Sequence, residues 1–218
     1  MKKKHLKSLG QIRKLLDGHE LVSEDLEKAF SLISSALESL PDEVKQEEGP
    51  IPLPKEIQEE PETIALYSDG GCRGNPGPGS FAYLIQKHDG EVLGEGVDFE
   101  SLTTNNRMEL AGPIEGLRAL KDILPLNGKD PLLTKIKVLT DSKYVVDGMK
   151  SWVAGWKSRG WRKADNKAPE NLEYWQELDK LKDDFMQIEW VWVKGHAGHP
   201  QNEYCDRKAN EIMDANLA

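Results

Sequence analysis

Asp69, Glu109, Asp141 and Asp206 fall at the starts or ends of expected strands and helices, in segments that otherwise differ in composition. Carboxylates gathered into one cleft repel each other unless a divalent cation sits among them. All-oxygen donors with no matching cysteine or histidine cluster select magnesium or manganese over zinc. The chemistry such a set serves is metal-assisted attack on a phosphate ester. Any one of these acids alone is more often a helix cap or a solvated loop residue, so the argument rests on the set.

The elements that would position them follow from periodicity. TIALYS reads as a strand ending at Asp69-Gly70. GSFAYLIQK and EVLGEGVDF read as two more strands, with His88-Asp89-Gly90 as the hairpin turn between them. Thr104 or Asn105 opens a helix whose Met108, Ala111, Leu117 and Leu120 face inward. KIKVLT is a strand ending at Asp141, and helices are expected through the Trp-rich region and from Pro169 to about Asp184. QIEWVWV is the last strand and Asn202 to Asn216 the last helix. Three hairpin-linked strands followed by alternating helices and strands imply a mixed sheet flanked by helices. Asp69 and Asp141 would each lie just past the carboxyl end of a strand, where ligands bind in open α/β sheets. Glu109, in the first turns of its helix, and Asp206, early in the last one, would close the ring.

The N-terminal third reads differently. Leu6, Leu9, Ile12, Leu15 and Leu16 share one helical face within residues 3 to 16. After a turn at Asp17-Gly18, Ser23 can cap a second helix carrying Leu26, Phe30, Ile33, Leu37 and Leu40. The expectation is a small helical hairpin over residues 1 to 40, which buries little alone and so docks on a protein partner or self-associates. Residues 41 to 62 hold Pro41, Pro50, Pro52, Pro54 and Pro61 among many acids and read as an extended acidic linker. Residues 63 to 218 form the main domain, expected to be monomeric.

A net charge of -9 taken alone speaks against a nucleic-acid partner, but its distribution matters more. The first 40 residues carry +1, residues 41 to 62 carry -6 and the remainder -4. Lys157, Arg159, Arg162, Lys163 and Lys167 stand within eleven residues of each other against only Asp165. Such a patch steers polyanions even on an acidic protein. No apolar run is long enough to span a bilayer. Lys7, Arg13 and Lys14 interrupt what a secretory signal would need to be apolar, and a transit peptide is the minor alternative. Cys72 and Cys205 make neither a disulfide framework nor a metal pattern, which fits a cytoplasmic location.

Four segments in order, YSDGGCRGNPGPGSFAY, TTNNRMEL, LTDSKYVVDGMKSWVAGW and WVKGHAGHPQNEYCDRKAN, resemble the successive motifs of bacterial ribonuclease HI. The resemblance covers nearly all of residues 63 to 213. It implies a ribonuclease H fold, with a five-stranded mixed sheet flanked by helices, and cleavage of the RNA strand of RNA-DNA hybrids. It places the family's metal-binding acids on Asp69, Glu109, Asp141 and Asp206 and its catalytic histidine on His196. Two Mg2+ ions are expected during catalysis, with Mn2+ as a substitute, and the products would carry 5'-phosphate and 3'-hydroxyl ends.

By the same resemblance Gly70, Cys72, Asn75, Asn105 and Asn106 face the minor groove of the hybrid, and Thr104 helps hold a DNA phosphate. Trp152, Trp156 and Trp161, interleaved with Lys157, Arg159, Arg162 and Lys163, resemble the family's basic protrusion that grips the DNA strand. Trp152 and Trp156 are four apart and serve equally well as core. The sequence departs from some relatives at Lys143, where they carry Gln, and at Leu102, where they carry Arg. Rival classes sharing this outline are a catalytically silent hybrid-binding protein, which would normally have lost an acid, and a metal-dependent nuclease acting on DNA junctions or ends.

Overall fold

The computed structural model describes residues 24–39 and 51–217. The chain divides into two compact units, Met1–Gly49 and Pro50–Ala218. In the first, helix α1 (Glu24–Ser39) occupies the second of the two expected helical segments; Phe30 is buried, while Leu32 and Ile33 are exposed. The first expected helix, its turn at Asp17-Gly18 and residues 40–50 lie outside the described residues.

The second unit is built on strands β1 (Thr63–Cys72), β2 (Gly77–Lys87), β3 (Val92–Thr103), β4 (Lys135–Thr140) and β5 (Gln187–Trp192). They form one sheet in the order β3-β2-β1-β4-β5. The first three pair antiparallel through short turns, and β4 and β5 join β1 in parallel. Parallel neighbours need a crossover element, and here helices supply it. The connections are α2 (Asn105–Leu126) before β4, and a helical run before β5. That run comprises α3 (Lys143–Asp147), a π-helical turn at Gly148–Trp152, α4 (Val153–Ser158) and α5 (Leu172–Lys182). Helix α6 (Pro200–Leu217) closes the chain; it starts two residues before Asn202 because Pro200 suits the first turn of a helix. Among the described residues no helix is long and apolar enough to cross a membrane.

Alternation along β1 sends its side chains into two cores. Ile64 and Leu66 join Leu110, Leu117, Leu120, Val138 and Trp175 on the side of α2 and α5. Ala65 and Tyr67 join Leu84, Leu139, Cys205 and Ala209 on the side of α6. Burial on both faces explains why β1 reads as a nearly continuous apolar run.

The expected linker ends earlier than its composition implied. Residues from Pro50 belong to the same compact unit as the sheet, and Ile57 is fully buried in the core beneath α6. Burying an isoleucine contributes about 1.5–3 kcal/mol toward holding this short acidic segment down. Turn hydrogen bonds from Ile57 N to Pro54 O, Glu60 N to Ile57 O and Thr63 N to Glu60 O give this strap its shape. Lys137 donates to the backbone oxygen of Glu56 at 3.0 Å and to the Glu60 carboxylate.

Candidate active site

Asp69 lies inside β1, paired across to Ala82 of β2, rather than past the strand's end as the sequence implied. On its other side the parallel pairing with β4 stops at Tyr67 and Leu139. Carrying that register two residues onward on both strands brings Asp69 level with Asp141. The antiparallel ladder runs further than the parallel one, so the Asp69 backbone is paired with β2 on one side and lies past the end of the β4 ladder on the other.

Glu109 reaches the same edge because Gly70 lets α2 approach. A Cβ at Gly70 would stand 2.4 Å from the backbone of Met108 and 2.7 Å from the amide of Glu109, distances no side chain tolerates. Asn105 Nδ2 donates to Glu109 Oε1 at 2.8 Å and Ser142 Oγ to Glu109 Oε2 at 2.7 Å. Asp206 stands one helical turn after Asn202 on the same face of α6. Asn202 Nδ2 donates to Asp141 Oδ2 at 3.4 Å, and Asn210 Nδ2 to Asp206 Oδ1 at 2.8 Å.

Burial pushes the Asp69 carboxyl up to about 8, and the charges of Asp141, Asp206 and Glu109 add to that rise against a short hydrogen bond from Gly70 N. Burial also raises Glu109, opposed by its hydrogen bonds from Ser142 and Asn105 and assisted by Asp141. The four acids therefore feel one another. As they stand, no three acidic, histidine or cysteine side chains among the described residues close around a single point. Their fit to a divalent cation rests on the donor set instead. It is all oxygen, mutually repelling, and accompanied by Asn202 Oδ1, a buried acceptor with no hydrogen-bond partner among the described residues. These are the ligands a hard divalent ion takes.

His196 sits in the exposed loop between β5 and α6 with φ 50°, a left-handed conformation that is uncommon for any residue other than glycine. Gly195 before it packs against the acid cluster, since a Cβ there would fall 2.2 Å from Asp141 Oδ2. Sequence reasoning singled out His196 but missed Ser142, Asn202 and the contact of Gly195. Asn202 had a signal, its place one turn before Asp206.

The other expected contacts separate into groups. Cys72 Sγ donates to the carbonyl of Gly74 at 2.8 Å, and it lies 3.3 Å from that of Gly77, tying down the glycine-rich loop. Asn75 Oδ1 accepts from Asn105 N at 3.3 Å, capping α2, whose Thr104 makes no side-chain capping bond. Asn106 lies half-buried in the first turn of α2. These residues share the rim beside Asp69 and Glu109.

Trp152 and Trp156 are half-buried and pack edge-on or tilted against Tyr144 and Trp175, so both serve the core with part of their surface. With Tyr144, Lys163, Pro169 and Glu170 they also line a cleft of about 380 Å³. Trp161 is half-buried at φ 63°, and Arg159 and Arg162 spend hydrogen bonds on loop carbonyls. Lys157 pairs at 2.8 Å with Asp179, which is buried and also holds Lys182. Lys143 lies 4.9 Å from the centre of the Trp192 ring, and Leu102 is exposed.

A mixed sheet in this order, with Asp69 and Asp141 level just past the point where the β1–β4 ladder stops, is the framework of a metal-dependent phosphodiester hydrolase. Residues 61–214 match the RNase H family. Ribonuclease H of Bordetella pertussis (strain Tohama I) is 45% identical over 152 residues, covering 70% of this chain and 90% of that protein. Ribonuclease HI of Neisseria meningitidis serogroup B is 43% identical, covering 68% of this chain and 94% of that protein. Among solved structures, the N-terminal RNase H domain of a Mycobacterium tuberculosis protein superposes with TM-score 0.53 at 31% identity, covering 70% of this chain and 94% of that one. LC11-RNase H1 in complex with an RNA/DNA hybrid superposes with TM-score 0.55 at 27% identity, covering 71% and 99%. The chain belongs to the RNase H family.

Proposed function

We propose that this chain hydrolyses the RNA strand of RNA-DNA hybrids with two Mg2+ ions, for which Mn2+ substitutes, leaving 5'-phosphate and 3'-hydroxyl ends. The observation that carries this reading is the coupled acid cluster, in which burial and three neighbouring carboxylates raise Asp69 to about 8. Asp69, Glu109, Asp141 and Asp206 would hold the ions. When bound, the metals lower the pKa of water and neutralise charge on the phosphate.

The rest falls to the chain's own side chains. Ser142 and Asn105 orient the Glu109 carboxylate, and Asn202 orients Asp141. His196, on an exposed loop beside the cluster, exchanges a proton with solvent and the departing oxygen. Gly70, Cys72, Asn75, Asn105 and Asn106 form a rim whose backbone approaches a sugar closely enough to sense a 2'-hydroxyl, with Thr104 on a phosphate. Trp152, Trp156, Trp161, Lys157, Arg159, Arg162 and Lys163 receive the DNA strand.

Residues 1 to 40 act as a contact module for a partner protein or a second copy, and residues 50 onward carry catalysis. Free Cys72 and Cys205 fit a reducing cytoplasm.

The test is cleavage of a labelled RNA-DNA hybrid beside matched RNA-RNA and DNA-DNA duplexes, with Mg2+ or Mn2+, for wild type and D69N. Hybrid-only cleavage that D69N loses supports the reading. Tight hybrid binding without cleavage by wild type in either metal would replace it with a binding role.

A further inference from the structure

The strap from Ile51 to Glu60 precedes residue 61, where the family match begins. It nevertheless reaches the loop that carries His196. Glu56 is the link. Its Oε2 accepts from the Tyr67 hydroxyl at 3.0 Å, and its Oε1 lies 2.9 Å from His199 Nε2. The other ring nitrogen of His199 accepts from the backbone amide of Asn202 at 3.4 Å, so Nε2 carries the hydrogen that Glu56 receives. The ring also packs against Tyr67, with centroids 5.6 Å apart. Gln201, two residues on, donates to Pro52 O at 2.7 Å, a second tie between strap and loop.

His199 therefore has a fixed place between the strap and the start of α6. On one side of it lies the loop with His196 at φ 50° and Gly198 at φ 78°. On the other, Asn202 continues to Asp141. A backbone in the left-handed region at a histidine persists only where its surroundings over-determine it. The strap helps to do so here: it is anchored by buried Ile57 and by Lys137, and it faces the loop across a cleft of about 250 Å³ lined by Leu53, Lys194 and Ala197.

We propose that Glu56 is a positioning residue for hydrolysis: by fixing His199 it sets where the Gly195–Gly198 loop holds His196 relative to the acid cluster. The proposal rests on the reading of His196 as a proton-handling residue. It gives the strap a role in turnover that its composition hides.

The experiment is a double-mutant cycle in the full chain at saturating Mg2+, with kcat and KM on an RNA-DNA hybrid and Tm for each variant. E56A is expected to lower kcat about tenfold with little change in KM, the effect of a misplaced catalytic group. E56Q, which keeps an acceptor, is expected to restore most of it. H196A is expected to cost more, and E56A to cost nothing further in the H196A background. His199→Phe keeps the ring against Tyr67 without the hydrogen bond and reproduces the kcat loss where E56A melts too low to assay. Wild-type kcat in E56A or His199→Phe beside an impaired H196A overturns the proposal alone, as does an E56A loss of the same size with and without His196. Wild-type turnover in H196A removes His196 from the reaction and takes this proposal with it.

Discussion

Asn202 donates through Nδ2 to Asp141 Oδ2, while its own Oδ1 is buried without a hydrogen-bond partner among the described residues. A buried acceptor left unsatisfied costs about 1–3 kcal/mol, so it is retained where a donor arrives from outside the fold. Asn202 bonds Asp141, one of the acids proposed to hold the metal, and a metal-bound water or a substrate hydroxyl is the donor expected at Oδ1. Asn202→Ala is therefore expected to lower kcat on a hybrid about tenfold while leaving Tm in chelator within about 2 °C of wild type. A large drop in Tm with unchanged kcat would make Asn202 a packing residue only.

The raised Asp69 carboxyl makes stability depend on pH in a fixed direction. Its folded value, about 8, exceeds the ordinary 3.8, so the folded state keeps a proton that the unfolded chain has released. Stability in chelator is then greatest at acidic pH and declines as pH rises from about 4 to about 8, by on the order of a few kcal/mol shared across the coupled cluster. D69N removes much of that slope. Thermal melts from pH 5 to 9 in EDTA check it; parallel curves for wild type and D69N would refute it. Divalent ions oppose the same repulsion, and a cation that binds only the folded cluster stabilises it by about 2.7 kcal/mol at a hundred times its Kd. Repeating the melts at pH 8 with Mg2+ is expected to raise the Tm of wild type by several degrees and that of D69N much less. Equal shifts in both proteins would locate the ion elsewhere.

Gly70 and Gly195 are required for opposite partners. A Cβ at Gly70 meets backbone, which cannot yield locally, whereas one at Gly195 meets the end of the Asp141 side chain, which can turn away. G70A is expected to lose both stability and activity. G195A is expected to keep its Tm within about 2 °C and lose at least about tenfold in kcat, because Asp141 is displaced from the cluster. Similar Tm losses in the two variants would contradict this distinction.

How far the sequence revealed the site depended on how local each signal was. The β1 and β4 runs ending in Asp69 and Asp141 show themselves through apolar patterning, since both strands are buried on two faces. What patterning cannot show is where pairing stops. Asp69 stays inside the β1–β2 ladder because an antiparallel neighbour runs on past the parallel one. The strap was hidden for a different reason: prolines and acids dominate its composition, and Glu56 finds its partner His199 143 residues away. Ile57 alone among the acids was the cue that something there is buried. Lys157 likewise reads as part of a basic patch until Asp179, 22 residues on, folds back to claim it.

That pairing separates the basic residues by function. Removing one cation that binds a phosphate reduces the slope of log binding constant against log salt by about one. Lys163→Ala, from the aromatic cleft beside Trp152 and Trp156, is expected to lower the slope for hybrid binding by about that amount. Lys157→Ala is expected to change the slope less and to cost stability instead, because it removes one of the two described cations that pair with buried Asp179. A fall of a full unit of slope in Lys157→Ala at unchanged Tm would return that residue to the phosphate-binding set.

The strap also predicts where the catalytic unit begins. Ile57 fills a core shared with Ala65, Tyr67, Leu139 and Cys205, and Glu60 receives a hydrogen bond from Lys137 that holds its carboxyl below the usual range against the cost of burial. Ile57→Ala removes three carbons from a closed core and is expected to destabilise by about 2–5 kcal/mol. A chain starting at Pro50 keeps all of these interactions and is expected to fold and to turn over hybrid. One starting at Pro61 lacks Ile57, Glu56 and Glu60 together; it is expected to melt well below the chain starting at Pro50 and, where still folded, to turn over more slowly. Equal melting temperatures for these two chains would mean that the strap contributes nothing to the fold, and the position of Ile57 in the core would have no energetic consequence.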